Sequence, residues 1–174
     1  MIYKQIEKLV IRNMEAHDVC SIVEDELEQG WNPTDEKYRL RLQDQQEGKA
    51  ISLVAEYHGK VAGYINLYFE NMQGPFSGMG LPEIVDFGVL EKYQNLGIGT
   101  SLMEVAEDIA SKYADTVCLG VGLHSGYGKA QRMYMKRGYI PDGSGVWYNN
   151  KVCEQYSHCC NDDDLVLYMS KKLR

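Results

Sequence analysis

The feature that most constrains this chain lies in its middle. Residues 83–90 alternate as a strand and run into Gln94-Asn95-Leu96-Gly97-Ile98-Gly99-Thr100. Residues 97–113 then carry Leu102, Val105, Ala106 and Ile109 at helical spacing. A strand that passes through a glycine turn into an amphipathic helix brings several unpaired backbone N–H groups to the positive end of a helix dipole. Such an end binds phosphate oxygens. Gly97 and Gly99 permit unusual dihedrals and close approach of a ligand to the backbone, and Thr100 adds a hydroxyl donor. The same two glycines also suit a purely structural turn. Two nucleotide-binding alternatives fail on these residues. A Walker loop ends in Gly-Lys-Ser/Thr, and Gly99-Thr100 lacks the lysine. A dinucleotide fold needs a third glycine, where this chain has Leu102, and an acidic ribose ligand after the next strand, which ends in Gly120-Val121-Gly122.

The flanking patterns build a sheet around this unit. Residues 5–12 read as one strand, and residues 16–28 as a helix with Val19, Ile22, Val23 and Leu27 on one face and Asn13 or Asp18 as its cap. Trp31-Asn32-Pro33-Thr34 breaks the chain before a polar helix over residues 34–47, which Gly48 ends. Residues 51–57 and 61–69 flank His58-Gly59-Lys60 as a hairpin, and residues 71–82 form a loop. Residues 116–121 are a second buried strand, and residues 129–137 a helix closed by Gly138. Tyr139 opens a further strand-like stretch, residues 149–164 read as a long polar loop, and residues 165–170 are the last strand. The strand-helix-strand order implies a parallel pair with a crossover, and the hairpins imply antiparallel pairing. The expected class is α/β (α+β): a mixed, mostly antiparallel sheet with flanking helices in a single domain over residues 1–174. A domain of this size buries roughly 70% of its unfolded surface and needs no staples.

Composition narrows the partners. The formal net charge of -7 argues against a nucleic-acid backbone and suits a cationic small molecule or peptide, although it is equally the charge of an ordinary soluble protein. Cys20, Cys118, Cys153, Cys159 and Cys160 are odd in number and irregular in spacing, as expected of reduced thiols in a cytoplasm. No signal-like or membrane-spanning apolar run is present, so no membrane partner is expected. A second copy of the chain, forming a homodimer, is left open. Cys153, His158, Cys159 and Cys160 with residues 162–164 bring together metal-ligand types. They lack a Cys-x-x-Cys knuckle, so no metal site is expected.

The run Ile84-Val85-Asp86-Phe87-Gly88-Val89-Leu90-Glu91-Lys92-Tyr93-Gln94-Asn95-Leu96-Gly97-Ile98-Gly99 resembles the acetyl-CoA motif of the GNAT superfamily, Gln/Arg-x-x-Gly-x-Gly/Ala after an acidic-apolar strand. Downstream, Ala130-Gln131-Arg132-Met133-Tyr134-Met135-Lys136-Arg137-Gly138-Tyr139 resembles the same family's helix bearing a tyrosine followed by a Gly-aromatic pair. With the order of elements, the resemblance extends over nearly the whole chain; before Glu83 it lies in organisation more than in residues. It implies an acetyl-CoA-dependent N-acetyltransferase with a central parallel strand pair that splays to admit the pantetheine arm. Phe87, Gly88 and Val89 would line that arm, with the Phe87 amide near the thioester, and the phosphates would rest on residues 94–100. Many members carry an asparagine seven residues before the tyrosine, where this chain has Tyr127.

A protonated amine must lose a proton before or during attack, and a carboxylate working through water can take it. Glu83 is the first candidate, since some histone-type members place a base glutamate at that distance before the glycines; Asp86 is the second. Each also fits an exposed strand-end carboxylate. Tyr134 suits return of a proton to the departing thiolate, and equally a packed aromatic on an amphipathic helix. Glu24, Asp25, Glu26 and Glu28 would attract an ammonium group or form a solvated helix face. Trp31, Tyr68, Phe69 and Trp147 would wall an acceptor pocket or pack in the core. A non-catalytic acyl-CoA sensor is the main alternative to an enzyme.

Overall fold

The computed structural model describes residues 1–71 and 73–174, which fall into two compact units. Unit 1 comprises Met1–Tyr68 and Val85–Ile109, and unit 2 comprises Phe69–Ile84 and Ala110–Arg174.

In unit 1, strands β1 (Ile2–Ile6), β2 (Leu9–Asn13), β3 (Ala50–Tyr57) and β4 (Lys60–Tyr68) form an antiparallel meander. Next to β4 lies β5 (Glu83–Val89), and Leu90 N–H donates to the Ala62 carbonyl at 3.0 Å. The single strand expected over residues 5–12 is instead a hairpin. Glu7 adopts a left-handed φ of 47°, and the chain folds back so that Ile6 pairs with Leu9. No Gly, Asn or Pro marks that turn, so its alternating residues hide it.

Helix α1 (Ala16–Glu28) begins at Glu15, whose N–H donates to Asp18 Oδ2 at 2.8 Å. Asp18 therefore acts from the third helical position rather than as the cap itself. Arg12 forks onto the same buried carboxylate at 2.7 and 2.8 Å. Helix α2 (Asp35–Gln46) turns Tyr38 inward, and with Met14, Val19, Ile22, Val54, Val61 and Tyr64 it closes one core cluster. Helix α3 (Ile98–Ala110) buries Ile98, Leu102, Met103 and Ala106. Burial of each large side chain is worth about 1.5–3 kcal/mol.

Unit 2 contains β6 (Thr116–Gly122), α4 (Gly128–Lys136), β7 (Ile140–Tyr148), β8 (Lys151–Val152) and β9 (Leu165–Lys172). The start of β5 runs parallel to β6, with Glu83 opposite Cys118 and Ile84 opposite Leu119. Strand β9 inserts antiparallel between β6 and β7, giving the order β5-β6-β9-β7-β8. Gly143 and Gly145, at φ 92° and 88°, absorb a register shift between Pro141 and Val146, after which the ladder resumes at Val146 opposite Leu167. The short β8 lies inside the polar stretch read as loop. Phe76, Cys118 and Tyr168, with Trp147 and Val166 against them, form this unit's aromatic cluster.

The fold is thus the expected mixed, mostly antiparallel sheet with one parallel pair and flanking helices. Among the described residues no helix is long and apolar enough to cross a membrane.

Candidate active site

In unit 1, β5 leaves through a 3-10 turn at Glu91–Tyr93 and reaches α3 by way of Asn95 at φ 63° and Gly97 at φ 78°. The two glycines of this turn do different work. A Cβ at Gly97 would meet nothing within 4 Å, so glycine is needed there for its backbone conformation. A Cβ at Gly99 would lie 3.1 Å from Phe87 Cζ and 3.4 Å from Val89 Cγ2, so glycine there lets α3 lie against β5. Ile98 is buried between them, whereas Asn95, Leu96, Gly97 and Thr100 are exposed at the helix entry. Gln94 Nε2 donates to the Val89 carbonyl at 3.2 Å, tying the turn to the strand end.

Within β5, Asp86 takes a left-handed φ of 49°. For a residue with a side chain this costs roughly 1–2 kcal/mol. Phe87 and Val89 face α3, while Asp86 and Gly88 face the elements before β5. Arg41 Nε and Nη2 donate to Asp86 Oδ2 at 2.8 and 2.5 Å, and Arg41 Nη1 donates to Tyr68 OH at 2.5 Å. Tyr68 OH in turn donates to Asp44 Oδ2 at 2.6 Å. Burial works against the Arg41 charge, but Asp86 and then Tyr68 outweigh it and raise its pKa overall. Burial and the bond to Asp44 push the Tyr68 phenol up to about 12, so it stays a donor at neutral pH. Asn66 Nδ2 lies 3.3 and 3.4 Å from the carbonyls of Val85 and Asp86 and donates to both.

Gly88 sits on Tyr64, whose Cζ would be 2.8 Å from any Cβ at that position. Tyr64 and Tyr38 donate to Glu26 Oε1 and Oε2, each at 2.6 Å, and their rings meet edge to face with centroids 5.3 Å apart. Glu26 is 2% exposed, so the acidic face expected of α1 includes one carboxylate that points into the core. Burial raises both phenol pKa values, helped by the neighbouring Glu26, and keeps them protonated.

In unit 2, Glu83 opens β5 beside Cys118. Burial pushes the Cys118 thiol up to about 12, which suits a packed side chain and not a nucleophile. Tyr134 is buried on α4, edge-on to Tyr139 with centroids 5.7 Å apart; burial, with Tyr127 nearby, raises its pKa. Tyr127 caps α4 and lays its ring on Gly122. Its hydroxyl donates to Asp163 Oδ1 at 2.9 Å, and His124 Nε2 donates to the same oxygen at 3.0 Å. Gly126 N–H donates to His124 Nδ1, which leaves Nε2 to carry the ring proton. Asp163 is held below the ordinary carboxylate range, first by His124 and then by Tyr127. No group of three or more His, Cys, Asp or Glu among the described residues is arranged to hold a metal ion.

The model of the acetyltransferase (GNAT) family matches residues 16–139, more than two thirds of the sequence. The chain belongs to the GNAT acetyltransferase family. No curated protein matches it significantly. Solved structures of the GNAT fold superpose along nearly the full length. One is an acetyltransferase from Salmonella typhimurium that modifies the N-terminal serine of ribosomal protein L7/L12: TM-score 0.73, 12% identity, 99% of each chain covered. The ribosomal-protein-S18-alanine N-acetyltransferase of Escherichia coli gives 0.67 at 15% identity, covering 95% of this chain and 94% of that one. The yncA protein of Salmonella typhimurium, solved with its cofactor acetyl-CoA, gives 0.67 at 18%, covering 97% and 95%. At these identities the likeness is one of fold.

For this GNAT chain, the residues expected at the phosphate turn and along the strand before it, Phe87 to Val89 and Gln94 to Thr100, come together in unit 1. Each aromatic residue expected around an acceptor has its own surroundings within its unit. Trp31 is 40% exposed, Tyr68 joins Arg41, Phe69 packs on Tyr113 with centroids 4.3 Å apart, and Trp147 donates to Ser144 Oγ at 2.7 Å. Sequence reasoning missed Arg41, the Glu26 cluster, His124 and Asp163. Their partners lie 12 to 45 residues away along the chain, beyond any local pattern.

Proposed function

We propose that the protein transfers the acetyl group of acetyl-CoA to a primary amine by direct attack in a ternary complex, with residues 1–174 acting as one catalytic domain. The observation that carries this is the turn at residues 94–100. Its left-handed Asn95 and Gly97 lead into a 13-residue helix whose first N–H groups have no partner within the helix, and exposed side chains surround them. That arrangement fits a pyrophosphate. Backbone groups of Phe87, Gly88 and Val89 would bind the pantetheine arm, and the Phe87 N–H would donate to the thioester oxygen as charge builds on it. Acetyl-CoA supplies the activated acyl group.

Glu83 is the preferred base for the incoming ammonium, acting through water, with Asp86 second because Arg41 already engages its carboxylate. Tyr134, kept protonated by burial, returns a proton to the thiolate. Tyr127 stands where many relatives have an asparagine; with its hydroxyl bonded to Asp163, it would contribute its ring face rather than a polar contact. The net charge of -7 favours a cationic acceptor. Two similar structures are described as acting on ribosomal proteins, which adds protein N-termini to the small amines worth testing.

The test is release of free thiol from acetyl-CoA across a panel of polyamines, amino acids and N-terminal peptides, with calorimetry for coenzyme A. Turnover on at least one amine is expected, and Tyr134→Phe should lower kcat by ~10-fold or more while leaving coenzyme A affinity unchanged. Coenzyme A binding without turnover on any amine would make the protein a sensor.

A further inference from the structure

A non-glycine residue with left-handed backbone inside a strand persists only where its surroundings over-determine it. Asp86 is such a residue, at φ 49° between Val85 and Phe87. Every described hydrogen bond of its side chain goes to Arg41, through two nitrogens on one oxygen. Arg41 is held from behind by Tyr68, and Tyr68 by Asp44 one turn further along α2. The Asp86 backbone is held as well, because Asn66 donates to its carbonyl. Two guanidinium donors converging on one oxygen hold it in a position that a single flexible lysine ammonium would define less tightly.

We propose that Asp86 and Arg41 are positioning residues: the Arg41 clamp holds Asp86 in its left-handed conformation and thereby aims the Phe87 N–H, so that Asp86 serves as an anchor and not as a base. The proposal rests on the assignment of the Phe87 N–H to the thioester oxygen. A general base must approach the proton it removes, whereas the Asp86 oxygen named here already accepts from two Arg41 donors. No further proton transfer is needed of either residue. Arg41 stays charged throughout, and Glu83 keeps the role of base proposed above.

Glycine separates the anchor from the base, because it adopts φ near 50° without steric cost. In Asp86→Ala the left-handed conformation loses its clamp and keeps its penalty. Asp86→Gly loses the carboxylate and the penalty together. Pairing Asp86→Gly with Arg41→Met leaves no unpaired, partly buried cation. Two readouts are taken on the full-length protein: amide hydrogen exchange at Phe87 and Gly88, and the pH profile of kcat and kcat/KM with the best amine from the panel.

Exchange at Phe87 should quicken roughly 10-fold in Asp86→Ala and in Arg41→Met, with kcat falling by a similar factor and KM for acetyl-CoA changing less. The Asp86→Gly/Arg41→Met protein should recover to within about 3-fold of wild type and keep the acidic limb of its pH profile. A glycine variant as inactive as the alanine variant, with the acidic limb gone, would make Asp86 the base and overturn the proposal. Unchanged exchange at Phe87 in Asp86→Ala and Arg41→Met would overturn it independently of activity. If the wild type shows no transfer on any amine, the proposed function fails instead, and the exchange experiment still decides the clamp.

Discussion

Two clusters in this protein follow one plan with opposite burial. In unit 1 the Glu26 carboxylate accepts from the hydroxyls of Tyr38 and Tyr64, both at 2.6 Å. In unit 2 the Asp163 carboxylate accepts from His124 and Tyr127, at 3.0 and 2.9 Å. Glu26 is 2% exposed, whereas the Asp163 side chain is 79% exposed. Hydrogen bonds to a buried charge cannot be replaced by water, and those on the surface can. Burial, more than the pattern of partners, therefore sets what each cluster is worth. The buried cluster also supports the strand proposed to bind the cofactor, since Tyr64 is the surface on which Gly88 of β5 rests.

The sharpest break would come from Glu26→Ala, which strands two buried hydroxyls in the core. A loss of about 3–5 kcal/mol and a Tm lowered by roughly 10 °C are expected in thermal denaturation. Tyr64→Phe keeps the ring under Gly88 and removes one donor, so about 1–2 kcal/mol should be lost. At the other end, Asp163→Asn should change stability by no more than about 0.5 kcal/mol. Its pH dependence sharpens the contrast. The folded Asp163 pKa lies below the ordinary 3.8, so the wild type's small margin over Asp163→Asn is present above that value and is lost as pH falls through the lowered one. Equal losses from Glu26→Ala and Asp163→Ala would break the comparison.

The same difference explains what the sequence made legible. The path from β5 through Gly97 and Gly99 into α3 is local, and each residue declares its role within a few positions. The β3–β4 hairpin and the helix ended by Gly138 are legible in the same way. The turn at Glu7 is local too, yet it is made by residues that do not announce turns, so two strands read as one. Glu26 looks like a member of an acidic face because three other acids crowd it, and only Tyr38 and Tyr64, 12 and 38 residues away, make its burial tolerable. Nor does any local pattern show that Asp86 meets Arg41, which lies 45 residues earlier on a helix whose polar sequence suggests only solvent. Periodicity reports which face of an element is buried. It does not report which polar groups meet across elements.

The most direct test of the phosphate turn is calorimetric titration of acetyl-CoA into the wild type and Gly97→Val. Position 97 needs φ near 78° and has open space around it, so valine distorts the turn without overfilling a core. Affinity should weaken at least ~10-fold while Tm falls by only a few degrees. Unchanged affinity in Gly97→Val would place the pyrophosphate elsewhere and contradict the assignment of residues 94–100.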